Sequence, residues 1–341
     1  MDDVELVRSH APQVAAPGAD RKRQARQTLI ATAVAPNRRV AWPVAPARRT
    51  ALTALVLATL AIVVVRGPFS FLVGADPAAA AVLRQAATIA AEADPLSLGD
   101  GYLYTRTEAL WGFQAAEWMY LRPLVREDWV AADGSGRIRE TVGELVFLSE
   151  ADREAWEAGE FTPYALNEDF GPGGLEPQLA NASLPTDVDL LRAEVKAQAA
   201  ATHPWSTDSQ MFVVIGDLLR DPLTPPDVRA GLFQVAADLP GIELLGQLTD
   251  RIGRPGVAVA MSAFAMTPYH RQEIIIFDPA TSVLLEERTV SLAPYGDTPA
   301  PFLWGYATYL ETKVVPEMPA CPICQPAQVE STEVEATDGY P

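Results

Sequence analysis

The spacing with the most chemistry in it is Cys321-Pro322-Ile323-Cys324. A C-x-x-C pair can be a local structural disulfide, a redox couple or half of a zinc site, and outside the cytoplasm the oxidised form is expected. Zinc needs further ligands, and His10, His203 and His270 show no ligand spacing. Thiol catalysis calls for a cation close to the sulfur and a strand-to-helix setting. Here the flanks are Pro-rich and the nearest preceding basic residue is Lys313. Cys321 and Cys324 are therefore read as a disulfide, with thiol-disulfide oxidoreduction kept as an alternative.

Two further groups could bind rather than react. Arg251 and Arg254, flanked by Asp250 and Asp278, could grip an anionic head group. The same stretch from Asp250 to Gly256 reads as a hairpin turn with glycines at positive φ and solvated charges. Trp111, Trp118, Trp129, Tyr102 and Tyr104 are the candidate ligand-binding residues. They could line an apolar pocket, or simply pack the core of a curved sheet. Phosphate-cradling Gly loop, Ser elbow and nucleophile-base-acid set are all missing from the sequence, so a non-enzymatic role without a cofactor is expected.

The elements that must position these residues start with a split chain. Its 341 residues carry a net charge of −18, and that acidity argues against nucleic acid as a partner. From Thr50 to Val65 there is no charge, Gly or Pro, with Arg48 and Arg49 before the run and Arg66 after it. Sixteen helical residues span about 24 Å, and the apolar Phe69 to Val73 with a snorkelling Arg66 extend this towards a bilayer core. Residues 1 to 49 hold nine basic and four acidic residues, whereas residues 67 to 341 hold 16 basic and 40 acidic ones. The positive-inside rule then puts the N-terminus in the cytoplasm and the acidic bulk outside, in the cell membrane's single-pass arrangement. Cleavage after Val73-Gly74-Ala75 is the rival reading of the same run.

Beyond the span, Asp76-Pro77 starts a helix with Val82, Ala86 and Ile89 on one face. Strand patterns follow at Tyr102 to Trp111, Glu117 to Ala131 and Gly136 to Leu148. Leu184-Pro185-Thr186-Asp187 starts a second helix, Phe212, Ile215 and Leu219 mark a third, and Thr224-Pro225-Pro226-Asp227 caps a fourth. In that last helix Val228, Leu232, Val235 and Leu239 form one apolar stripe. Strands resume at Ile242 to Leu248, Val257 to Phe264, Glu273 to Phe277, Val283 to Ser291 and Phe302 to Val315. Strands, helices, then strands is an α+β order. The expected organisation is a basic cytoplasmic arm (1–49), a transmembrane helix (50–73), an extracytoplasmic domain (76–316) with a curved antiparallel, half-barrel-like sheet packed by helices, and an acidic disordered tail (317–341).

The motifs Leu218-Leu219-Arg220, Pro225 to Ala230, Leu239 to Ile242, Asp250 to Val259 and Phe277 to Thr281, with Leu184 to Asp187 upstream, resemble an uncharacterised actinobacterial family of single-span membrane proteins. By its order of elements that family is similar to the half-open barrels of periplasmic lipoprotein carriers and of the sensor subunit that governs envelope-stress sigma factors. The resemblance implies a membrane-anchored binding or sensor domain for a lipid-like ligand or an envelope protein. Its alternative is an anti-sigma-like regulator whose arm from Ala19 to Arg49 reports to a cytoplasmic sigma factor, against the blander use of that arm on anionic lipid.

Overall fold

The computed structural model describes residues 74–114, 118–159, 165–175, 180–202, 207–263, 271–296 and 298–327. The expected arm, the expected span and the tail beyond residue 327 lie outside the described residues. No helix among the described residues is long and apolar enough to cross a membrane.

In chain order the elements are α1 (Pro77–Ala91), β1 (Tyr102–Gln114), β2 (Met119–Ala131), β3 (Gly136–Val142), β4 (Val146–Phe147), α2 (Glu150–Ala158) and β5 (Asn167–Phe170). They continue with α3 (Val188–Thr202), α4 (Thr207–Arg220), α5 (Pro226–Ala237), β6 (Ile242–Thr249), β7 (Pro255–Ala263), β8 (Arg271–Phe277), β9 (Leu284–Ser291), β10 (Phe302–Val315) and β11 (Gln325–Pro326). The strands form one sheet in the order β11-β5-β3-β2-β1-β10-β9-β8-β7-β6, with β4 beside β2. Among the described residues only β11 and β5 run parallel. This is an α+β fold, a large and mostly antiparallel sheet packed by helices. Two meanders, β1 to β3 and β6 to β10, are joined where β1 pairs with β10, and the helical segment lies between them in sequence.

Local signals place the helices. Asp76 caps α1, one carboxylate oxygen accepting Ala78 N at 2.9 Å and the other Leu244 N at 3.3 Å, so the cap also ties α1 to β6. Asp187 does the same for α3 by accepting the amides of Asp189 and Leu190. Against expectation, Thr224 does not cap α5. Its hydroxyl donates to Leu218 O at 2.7 Å and accepts from Asn181 Nδ2, which satisfies the end of α4 instead. The apolar stripe of α5 is core: Val228, Leu232 and Val235 are buried together with Val257, Val259, Met261, Ile275 and Phe277 of the sheet.

Alternation separates two faces. In β7 and β8 the odd residues meet the helices, while Ala258, Ala260, Ile274 and Ile276 form a second core on the other side with Val290. That second face is concave. Thr249 in β6 and Arg288 in β9 lie three strands apart, about 14 Å in a flat sheet, yet Arg288 Nη2 donates to Thr249 O at 2.9 Å. Arg251 N likewise donates to Glu286 Oε2 at 2.7 Å, so the β6–β7 corner folds across the concave side.

Three expectations need correction. In the Asp250–Gly256 turn Arg251 is exposed as expected, but the carboxylate of Asp250 is not solvated. Gly253 does take φ +89°, but Asp250 is buried and accepts Ile252 N, Arg254 N and Arg254 Nε, because a corner folded onto a face must pair its carboxylate internally. The stretch from Gly136 to Leu148 is two strands, broken where Gly143 N donates to Pro123 O outside the ladder. Finally, residues 317–327 do not behave as an unstructured tail: Arg137 donates to Pro319 O, β11 pairs with β5, and Ala327 N donates to Asp169 O.

Candidate functional site

A cleft of about 320 Å³ opens between α4 and the sheet, lined by residues of α4, β1, β8, β9 and β10. Helix α4 buries Phe212, Ile215 and Leu219 against the sheet, which turns Gly216, Asp217 and Arg220 of its next face toward β8 and β9. At Gly216 the helix backbone comes close to Glu287: a Cβ there would lie 2.6 Å from Oε1, which the carboxylate end of that side chain would have to move to relieve. The apolar lining includes Trp111, Phe212, Val213, Ile275, Trp304 and Ala307. Trp304 stands at a bulge of β10 with the Arg271 guanidinium 4.1 Å from its ring centroid.

The polar lining is a connected set. Arg220 Nη2 reaches Glu287 Oε2 at 3.1 Å and also pairs with Asp217, and Tyr309 OH donates to Glu287. Burial alone would lower Arg220, but Glu287, Tyr309 and Asp217 outweigh it and hold the guanidinium above its ordinary range. Thr289 Oγ1 donates to Glu273 Oε2 at 2.6 Å. Burial, reinforced by the charges of Glu287 and Asp217, pushes the Glu273 carboxyl up to about 7, with Thr289 and Arg271 opposing. Asp217 is raised too, by burial first and Glu287 second. The arrangement can therefore offer an apolar slot beside a carboxyl that changes charge near neutrality. Among the described residues no three His, Cys, Asp or Glu side chains gather as metal ligands.

The five aromatic candidates are not brought to one pocket. Trp111 lines the cleft, with Arg122 Cζ 5.5 Å from its ring. Trp118 joins Tyr120 and Trp156 at centroid distances of 5.3 and 5.1 Å, outside the cleft. Tyr104 and Trp129 are buried against each other at 5.1 Å, with Arg139 over Trp129. Burial and the bond from its hydroxyl to Glu127 push Tyr104 up to about 12. Tyr102 sits at the start of β1 between Ala131 and Val315. The concave face, where the ligand was expected, is filled around β6 to β9 by Ala258, Ala260, Ile276 and a buried set in which Glu286 accepts from Arg251 N, Arg288 and Thr308. Arg254 Nη2 donates to Leu285 O and Tyr309 O, and Arg251 lies 4.0 Å from the Tyr306 ring centroid, so both arginines of the turn serve the fold. Cys321 and Cys324 form a disulfide beside β5, at the sheet edge away from the cleft.

Sequence reading missed Phe212, Glu273, Glu287, Arg220 and Trp304 as site residues. One signal was present. Glu286-Glu287-Arg288 puts three charges in a row inside an otherwise apolar strand, so charges must enter both faces of the sheet.

No protein-family model and no curated protein matches the chain, so the resemblance to the actinobacterial family rests on the quoted motifs alone. Solved structures similar to it include MucB in complex with periplasmic MucA, at 14% identity and a TM-score of 0.24, covering 74% of this chain and 62% of that one. The Pseudomonas aeruginosa MucA/MucB complex matches at 14% and 0.24, covering 74% and 64%, and MucB alone at 13% and 0.22, covering 72% and 61%. The chain spans less than two thirds of each of those chains. A likeness at this level carries no functional argument.

Proposed function

We propose that this protein is a non-catalytic binding module, held on the outer side of a membrane by the apolar run 50–73, whose site for an apolar or lipid-like ligand is the cleft beneath α4. The cleft itself carries the reading. Its volume of about 320 Å³ lies in the range of small-molecule sites, and its walls combine two tryptophans, Phe212 and Ile275 with a few convergent polar groups.

An apolar fluorescent dye tests it. The full chain should brighten the dye through energy transfer from Trp111 and Trp304, and Trp111→Ala should weaken binding severalfold at little cost in stability. Trp129→Ala, at a fully packed position, should instead cost about 3–5 kcal/mol and leave dye affinity unchanged in the folded fraction. If neither dye nor extracted lipid binds the wild-type chain, the reading fails.

The excess of nine basic over four acidic residues in 1–49 supports a second role, signalling through the arm to a cytoplasmic regulator such as a sigma factor. Capture of such a regulator that survives deletion of residues 19–49 would remove it.

A further inference from the structure

A second surface, independent of the cleft, lies where α2 meets β2 and β4. Tyr120 is buried at the centre of an aromatic plate, stacked on Phe113 at 5.3 Å and on Trp118 at 5.3 Å, with Trp156 of α2 edge-on at 4.7 Å. Phe147 adds a fifth ring 6.2 Å from Tyr120. The four outer rings are each only half-buried, and neighbouring Val146 is 46% exposed. Core formation does not account for α2. Among its nine residues only Asp152 is buried, and that carboxylate is used to accept Met119 N and Tyr295 OH. Large aromatic side chains left half in water and packed side by side are the composition of a protein-binding hot spot.

Charge selects the partner. Glu150, Glu154 and Glu157 recur at i, i+4 and i+7 on the outward side of α2, all exposed, and Glu144 is exposed just before Val146. A second copy of this chain would bring these glutamates against each other, and an anionic bilayer would be repelled by them. The rings already receive guanidinium groups from their own chain: Arg153 stands 5.0 Å from the centroid of Phe147 and Arg122 5.2 Å from that of Phe113.

We propose that the plate formed by Phe113, Trp118, Tyr120, Phe147 and Trp156 is a docking surface for a cationic amphipathic segment of a partner protein, whose apolar residues cover the rings and whose Arg or Lys side chains meet the glutamates of α2. Trp156 is its anchor.

The test uses the full chain and two short peptides, one alternating leucine with lysine and one alternating leucine with glutamate, followed by tryptophan fluorescence. The leucine–lysine peptide should bind with an affinity that falls steeply as salt rises, and the leucine–glutamate peptide should not bind. Trp156→Ala should weaken binding roughly tenfold or more. The surface variant Glu150→Gln/Glu154→Gln/Glu157→Gln, which touches no core residue, should weaken it and flatten the salt dependence, so the result does not hang on the folding of Trp156→Ala. Equal binding of both peptides, no binding of the lysine peptide, unchanged affinity in both variants, or tighter binding to phosphatidylglycerol vesicles than to the lysine peptide would each overturn the proposal.

Discussion

The two halves of the sheet solve the same problem differently. Around β6 to β8 both faces are largely apolar, the helix side carrying Val257, Val259, Met261, Ile275 and Phe277 and the concave side Ala258, Ala260, Ile274 and Ile276, while β9 adds the buried Glu286–Arg288 pair. Around β1 to β3 a smaller apolar cluster of Leu103, Val130, Ile138 and Leu175 stands beside a ladder of charges. There Arg122 pairs with Glu140 at 3.1 Å, Arg126 with Asp128 at 2.9 Å and Arg139 with Glu127 at 2.6 Å. Helices α1, α3, α4 and α5 share the core of the first half, whereas among the described residues the second half is met by α2 and loop segments. Pairs that cross strands, such as Arg122–Glu140 and Arg139–Glu127 between β2 and β3, favour one register, because a slip would separate the partners. The cleft sits at their junction, where β1 meets β10.

The largest effect should come from breaking the packed half. Leu232→Asp puts a carboxylate at a position with no exposure, among Val228, Val235 and Phe277, and should cost several kcal/mol, enough to remove the cooperative melt. A nearly unchanged midpoint would mean that the stripe of α5 is not core.

In the charged half, Glu140→Leu strips Arg122, Arg126 and Leu166 N of their acceptor. Since Arg122 is itself buried, the single change should cost about 3–5 kcal/mol. Arg122→Met combined with Glu140→Leu should cost clearly less than the two single changes added together. Additive losses in denaturant titrations would show that the pair is not coupled, and would erase the distinction between the halves.

The junction should show the smallest effect, and only as a function of pH. Burial raises Glu273 from the ordinary 4.5 of a glutamate to about 7. Between those values the folded state holds a proton that the unfolded chain has released. The stabilisation is thus complete below the unfolded value and is lost as pH rises through about 7, a change on the order of 1–3 kcal/mol. Glu273→Gln should flatten that part of the stability profile. An unaltered slope would place the titrating group elsewhere.

Much of the scaffold was legible. Asp76 and Asp187 announce helix starts, the alternation of Val257, Val259 and Met261 marks a half-buried strand, and Phe302 to Val315 is β10 to the residue. What escaped notice has a common cause. Strand β5 and the two-residue β11 owe their existence to partners such as Asp169 for Ala327, not to their own periodicity. The aromatic candidates are scattered, since Trp111 and Trp129 on β1 and β2 point to opposite faces.

Residue order alone carries the start of α1, the apolar stripe of α5 and the charge asymmetry between the first 49 residues and the remainder, because caps, periodicity and composition are properties of neighbours along the chain. The place of the cavity is a matter of packing. Trp111, Phe212, Glu273 and Trp304 meet because β1 pairs with β10 and α4 comes close to Glu287 at Gly216, and such contacts depend on strand register and close packing between segments far apart in the chain.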